Sequence, residues 1–326
     1  MKYQSVPLSA LVTECLSRNI SFPSSVPKTR ENFILLLQNH DLKPMGSWKT
    51  PLRYPGGKSK ALLKLARHFP EMNDISEIVD PFLGGGSLMI YMTKKFPYIP
   101  IVVSDVFLEL TNFWKILQRD GLRLYLTLRT LKAEHPDIET ARTLFETQKK
   151  ILETPTQETD PFDQAVAFYI VNKCSFSGLI SSSFSKQASV SNFSVKCIDA
   201  LPYYSRLIQG WTIHHCDYRE TVLSQERSPN SLIYLDPPYA ISSNLYGLKG
   251  ELHKVFSHQD FIQTSTQLNV ISLKHMISYN AEVLEKYQGS FEGYKISDYD
   301  LTYTMRSTGS YMVDQEKRKE LVIKNY

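Results

Sequence analysis

From Pro51 onward, short apolar runs alternate with stretches of helical periodicity, and this alternation constrains the fold more than any other feature of the chain. Runs of four or five apolar residues suit strands buried on both faces, and the longer segments between them suit crossover helices. The pattern predicts an α/β fold with a largely parallel sheet. Strands are expected at Glu77–Pro81, Ile101–Asp105, Thr212–Cys216, Leu232–Leu235 and Met276–Tyr279, with a last one near Glu320–Tyr326. Helices are expected at Ser59–Phe69 and Ser87–Lys95, and through a charge-rich region from about Leu108 to Asn172. Ahead of these, Leu8–Ser17 and a run opening at Asn32 read as a helical pair, joined to the rest by a Pro-bearing linker, Pro44–Pro51.

In open α/β sheets, ligands sit beyond the carboxyl ends of the strands. Three such ends carry polar chemistry. The strand Ser231–Leu235 runs directly into Asp236-Pro237-Pro238-Tyr239. A carboxylate followed by a stiff, proline-fixed backbone offers two acceptors of set direction, the Asp236 side chain and the Pro237 carbonyl. Two acceptors suit an exocyclic aromatic amine, whose lone pair is delocalised and which gains positive charge as it attacks. Tyr239 adds a flat face for an extruded base. The plain reading is a proline-punctuated turn after a buried strand; its place at a strand end favours chemistry.

The second end is Asp80-Pro81-Phe82-Leu83-Gly84-Gly85-Gly86-Ser87, where successive glycines let backbone approach a ligand closely. A dinucleotide fingerprint is excluded, since Met89 stands where its third glycine belongs. The third end is Asp105, placed to accept from ribose hydroxyls or, equally, to cap a helix. Tyr54-Pro55-Gly56-Gly57-Lys58-Ser59 has the tail of a phosphate-binding loop but Leu52 in place of its first glycine, and no strand precedes it. It is left as a backbone-rich loop that presents a lysine.

Composition narrows the partners. Four widely spaced cysteines form no C-x-x-C pair, so neither a disulfide framework nor a zinc site is expected, and no metal is assigned. No run is long and apolar enough for a bilayer and none near Met1 suits a signal peptide, which points to a cytoplasmic protein without a membrane. The formal charge of +4 permits nucleic acid without requiring it.

In order, Pro-Gly-Gly-Lys, Asp-Pro-Phe-x-Gly-Gly-Gly, Ser-Asp-x-x-x-Glu-Leu, a long insert and Asp-Pro-Pro-Tyr resemble the Dam-like (D12 class, alpha-type) DNA adenine N6-methyltransferases. The resemblance covers about Pro51 to Tyr326. It implies a Rossmann-like methyltransferase sheet with helices on both faces, and a cofactor, S-adenosyl-L-methionine. The substrate would be double-stranded DNA, with transfer to N6 of a flipped-out adenine. Catalysis would rest on Asp236, Pro237, Pro238 and Tyr239. The cofactor would meet Tyr54, Gly56, Gly57, Lys58, Asp80, Pro81, Phe82, Gly84, Gly86, Ser87, Asp105 and Asp236, with Asp217 and Tyr218 bracketing its adenine. Many relatives carry tryptophan at the place of Tyr54 and glutamate at that of Asp80; both changes keep the type of interaction.

By the same resemblance, residues 51–110 and 210–326 form the catalytic domain and 111–209 a mostly helical target-recognition insert. DNA contacts fall to Asn172, Lys173, Phe176, Ser181, Ser183, Lys186 and Lys196, with Phe184 and Phe193 as further aromatics. Ser181 occupies the place of the arginine that GATC-reading enzymes carry, which implies a different target. Residues 1–48 resemble a small DNA-binding module of the SAP type; a helical pair packed on the catalytic domain is the equal alternative. Asn244–His258 reads as a lid or a phosphate-contacting surface, and its two histidines find no third metal ligand. A cognate restriction endonuclease and a monomer or weak dimer fit the family. Methylation of RNA adenine or of a protein amide, or a silent DNA-binding relative, are the competing functions.

Overall fold

The computed structural model describes residues 3, 5–18, 20, 28–40, 49–154, 159–238, 247–249, 252–280, 287–301 and 318–326. Along the chain the helices are α1 (Leu8–Ser17), α2 (Arg30–His40), α3 (Leu62–Leu65), α4 (Ser87–Lys95), α5 (Leu108–Glu134), α6 (Ile138–Glu153), α7 (Pro161–Cys174) and α8 (Lys186–Ser191). They continue with α9 (Val195–Ile198), α10 (Leu201–Leu207), α11 (Tyr218–Val222), α12 (Leu252–Val255) and α13 (His258–Val270). The strands are β1 (Glu77–Asp80), β2 (Ile101–Asp105), β3 (Trp211–His215), β4 (Ser231–Leu235), β5 (Lys274–Asn280), β6 (Lys295–Leu301) and β7 (Arg318–Lys324).

The strands form one seven-stranded sheet in the order β3-β2-β1-β4-β5-β7-β6. The five from β3 to β5 are parallel, and β7 runs antiparallel between β5 and β6. This is the Rossmann-like methyltransferase sheet, flanked by helices. After β1 the chain steps outward through β2 to β3, then returns to lay β4 on the other side of β1. The crevice of a doubly wound sheet opens at such a reversal. Glu77 pairs with Ser231 and Val79 with Ile233, so β1 and β4 end at the same edge. Each residue of β4 is buried, as a central strand covered on both faces requires.

The chain divides into two compact units. One contains Arg53–Thr111, Leu179–Ser182 and Gly210–Tyr326 and holds the sheet. Its core gathers Val79, Ile233, Leu235, Phe261, Leu268, Ile277, Tyr279 and Ile323. The other contains Met1–Leu52, Asn112–Gly178 and Ser183–Gln209 and is helical. Its centre is aromatic: Phe113 stacks on Tyr169 at 5.8 Å and packs against Phe168 and Trp114. Within it, α1 and α2 close a small cluster of Tyr3, Leu11, Cys15, Phe33 and Leu37.

Two expectations need correction. Ser59–Phe69 is not one helix: a 3₁₀ turn, the four-residue α3 and a second 3₁₀ turn share it. Lys58 is turned inward where the segment opens, so its first turn follows a buried site rather than an amphipathic face. The edge strand β6 escaped the periodicity, because Lys295-Ile296-Ser297-Asp298-Tyr299-Asp300-Leu301 is rich in charge. Charged edges are how sheets avoid pairing with other chains.

Candidate active site

The sheet brings three carboxylates to one edge. Asp80 ends β1, Asp105 ends β2, and Asp236 follows β4 directly. Strand burial fixes all three, since each is the first charged group beyond a run of buried residues.

Asp236 is joined to Lys58. The Lys58 ammonium donates to Oδ1 at 2.6 Å and Oδ2 at 2.8 Å, and to the Gly56 carbonyl at 3.3 Å. The lysine is 4% exposed and the aspartate 19%, so the pair is shielded but open on the aspartate side. The positive φ of Gly56, 71°, turns the loop that places the lysine. Pro237 is buried and Pro238 half-buried behind the carboxylate. Tyr239 lies outside the described residues.

The glycine loop is pinned from two sides. Asp105 accepts from the Gly84 amide at 2.9 Å and, through its other oxygen, from the Phe107 amide at 3.0 Å. Of the two readings, the cap is met in part, since Asp105 stands just ahead of α5 and accepts from the Phe107 amide; it also holds the glycine loop. Its pKa is pushed up to about 6, chiefly by burial, against the pull of the Phe107 and Gly84 amides. Gly84 sits at φ 48°, and a Cβ there would lie 2.9 Å from the Tyr54 ring. Only glycine lets that ring and the loop meet. Gly86, at φ 67°, precedes the first residue of α4, Ser87, which is buried.

Asp80 is buried and accepts from the Phe82 amide at 3.0 Å. Burial raises its pKa well above the usual carboxylate range; the Phe82 amide opposes this, the nearby Asp236 and Asp105 add to it, and Lys58 opposes it last. Burial disfavours the charged form of such a group, and a cation brought beside it would restore that form.

Phe82 stacks on Tyr218 with centroids 5.2 Å apart, and Phe256 and Phe261 pack against both rings. Asp217 caps α11, accepting from the Arg219 amide and sharing a reciprocal capping box with Glu220. Sequence reading found Phe82 and Tyr218 but missed Phe256 and Phe261. The signal was present in Phe256-Ser257-His258-Gln259-Asp260-Phe261, where a serine cap precedes a helix and an aromatic stands on either side of it. His258 hydrogen-bonds the Tyr279 hydroxyl. The side chain of His253 lies outside the description.

The expected DNA-contacting residues divide. Phe176 is 48% exposed, and Ser183, Lys186 and Lys196 are exposed. Ser181 is half-buried. Asn172 and Lys173 are buried instead: Asn172 donates to the Gly178 carbonyl at 2.9 Å, and the Lys173 ammonium lies over the Tyr169 ring. They hold the turn rather than stand on a surface. Phe193 is sealed in the core, because its helix-flanking position points it inward, with Lys132 above its ring. Among the described residues no group of three potential metal ligands occurs, and no helix is long and apolar enough to cross a membrane.

Comparison with known proteins places this geometry. The model of the D12 class N6 adenine-specific DNA methyltransferases matches residues 54–305. A type II methyltransferase, M.MjaIII of Methanocaldococcus jannaschii, is 23% identical over 294 residues, spanning 84% of this chain and 98% of its own. A DNA adenine methylase of Haemophilus influenzae is 21% identical over 262 residues, 76% of this chain and 86% of its own. A DNA adenine methylase of Vibrio cholerae is 26% identical over 200 residues, 58% of this chain and 64% of its own.

Proposed function

The chain belongs to the D12 class of N6 adenine-specific DNA methyltransferases, and from that premise we propose how it works: it takes the methyl group from S-adenosylmethionine and delivers it to N6 of an adenine turned out of the duplex. The observation that carries this reading is the convergence of Asp80, Asp105 and Asp236 at the carboxyl edge of the sheet, with Lys58 on Asp236.

The residues present fit such a cofactor. Asp80, a buried carboxylate with a raised pKa, suits the amino group of a methionine moiety. A carboxylate has about four acceptor sites, so Asp105 can accept from ribose hydroxyls beside its backbone amide donors. The glycines leave room for close backbone approach, and Phe82 and Tyr218 offer apolar faces to a purine. When bound, the cofactor supplies an electrophilic methyl on a positively charged sulfur.

The chain's own work is positioning. Asp236 accepts from one hydrogen of the target amine and the Pro237 carbonyl from the other. Together they favour a pyramidal nitrogen and oppose its developing charge. Asp236 does this without leaving Lys58, because each carboxylate oxygen has two acceptor sites. Lys58 holds the aspartate fixed in direction before DNA arrives. Tyr239 stacks on the extruded base.

Incubation with radiolabelled cofactor and separate DNA, RNA and protein substrates tests the reading. Label recovered from DNA as N6-methyladenine is expected. Label confined to RNA or protein, or none from a folded protein that binds the cofactor, would overturn it.

A further inference from the structure

One arginine of the helical unit is held in a way that no structural role explains. Arg142, on α6, lies with its guanidinium over the ring of Phe184, 4.7 Å from the centroid. Phe184 is backed on the same helix by the buried Phe145, at 5.6 Å. The backbone of Phe184 is fixed as well. It bridges Ser175 in antiparallel fashion, with Ser183 accepting from the Phe176 amide at 3.0 Å and Ser185 donating to Cys174 at 2.8 Å. The platform under the guanidinium is therefore rigid.

The polar edge of Arg142 is left over. Glu139 and Glu146 stand three residues before and four after it, the spacing at which helical ion pairs form. Neither pairs with it, although Lys149 and Glu153 on the same helix do pair, at 3.7 Å. Among the described residues Arg142 makes no ion pair and no side-chain hydrogen bond. Arg123 is the contrast: it too lies on a ring, that of Phe162, but Asp120 takes its Nη1 and Phe162 is buried. Arg123 is used up inside the unit, and Arg142 is not.

A guanidinium stacked flat on an aromatic ring loses little further freedom when its fork binds. Its natural partners are a phosphate or the O6/N7 edge of guanine. Glu139 and Glu146 flank the site with negative charge, which opposes a phosphate far more than a neutral base edge. We propose that Arg142 is a specificity-determining residue that reads guanine in the target site, with Phe184 as the platform that aims it. This rests on the DNA-methylating function proposed above.

The test is the methylation motif on a randomised duplex pool, read for the wild type, Arg142→Ala, Arg142→Lys and Phe184→Leu. Thermal unfolding would check that each variant is folded. The wild-type motif is expected to contain a guanine at which both arginine variants lose discrimination by roughly tenfold to a hundredfold, other positions staying unchanged. Phe184→Leu should relax the same position by less. Arg142→Lys behaving as wild type, with Arg142→Ala weakening all duplexes alike and lowering the salt slope by about one, would mark a phosphate contact and overturn the proposal. A sharp motif that Arg142→Ala leaves intact would overturn it while sparing the function. A wild type that modifies no DNA adenine overturns both.

Discussion

A single substitution at this edge acts on two things at once if the proposed mechanism holds, because Asp236 is then both the acceptor for the amine and the counter-charge of a buried lysine. Asp236→Ala should lower kcat by about 10² to 10³ or more, since an acceptor that works mainly in the transition state is lost. It should also leave the Lys58 ammonium, 4% exposed, without its carboxylate, and removing one member of a shielded pair destabilises by a few kcal/mol. Lys58→Met in the same chain separates the effects. The double variant should regain much of the melting temperature and none of the rate; recovery of methylation along with stability would show that Asp236 only supports the fold. Asp105 offers a different readout. Its free-state pKa of about 6 lies above the ordinary value, so the free protein takes up a proton there as pH falls. Ribose hydroxyls donate to the ionised form, so cofactor binding must expel that proton. Affinity should be full above about pH 6 and weaken towards tenfold per unit below it. The part of the dependence centred near pH 6 should vanish in Asp105→Asn, which binds more weakly at pH 8. Calorimetry between pH 5 and pH 8 checks this, and a flat wild-type profile would remove Asp105 from the cofactor site.

At the scale of elements, what the sequence shows depends on where burial is two-sided. The central strands β1, β2 and β4 are buried at almost every position around an apolar middle, and their boundaries were legible to within a residue or so. Their carboxyl ends were legible for the same reason, as a polar group after such a run marks the sheet edge. Strand β6 was not, because a charged edge strand has no apolar period to read. Phe256 and Phe261 carried a local signal, a serine cap between two aromatics, but not their partners, since the ring contacts with Phe82 and Tyr218 join residues far apart in sequence. The same limit applies to helix packing. The region from about Leu108 to Asn172 reads as helical without a break at Asp120, yet α5 is kinked there, φ −133°, and Gly121 follows. A Cβ on Gly121 would lie 2.4 Å from Ser205 Oγ and 2.5 Å from its Cβ, so α10 occupies the space a side chain would need. Local propensity favours Gly121→Ala by roughly 0.5–1 kcal/mol, whereas overpacking typically costs about 1–3 kcal/mol. Packing should win because Ser205 is short and buried, with no flexible end to move. Thermal denaturation of Gly121→Ala should show a lower Tm, partly restored by adding Ser205→Gly. An unchanged or higher Tm would mean that α10 yields.

For the whole molecule, the division into a sheet-bearing unit and a helical unit separates two chemical tasks. The three carboxylates and the glycine loop all belong to the sheet-bearing unit. Phe176, Ser183, Lys186, Lys196 and the Arg142–Phe184 pair belong to the helical one. We propose that this second unit carries target choice. Met1–Leu52 groups with it, and one bond shows how: the Tyr204 hydroxyl donates to the Lys49 carbonyl at 2.7 Å. An exchange of recognition elements should therefore move Met1–Leu52 together with Asn112–Gln209, because exchanging the insert alone parts the buried Tyr204 hydroxyl from the Lys49 carbonyl to which it donates. A buried polar group left unpaired costs about 1–3 kcal/mol, enough to lower the yield of folded chimera. With both segments replaced by those of a relative of different specificity, the motif should become the donor's. The host's rate on that motif should fall by no more than about tenfold, since each acceptor of the amine stays in place. The unexchanged protein should modify a site other than GATC, as Ser181 stands where GATC readers carry arginine. Sequencing of methylated positions after incubation with a randomised duplex pool decides both points. Modification confined to GATC would refute the second, and a chimera that keeps the host motif would return target choice to the sheet-bearing unit.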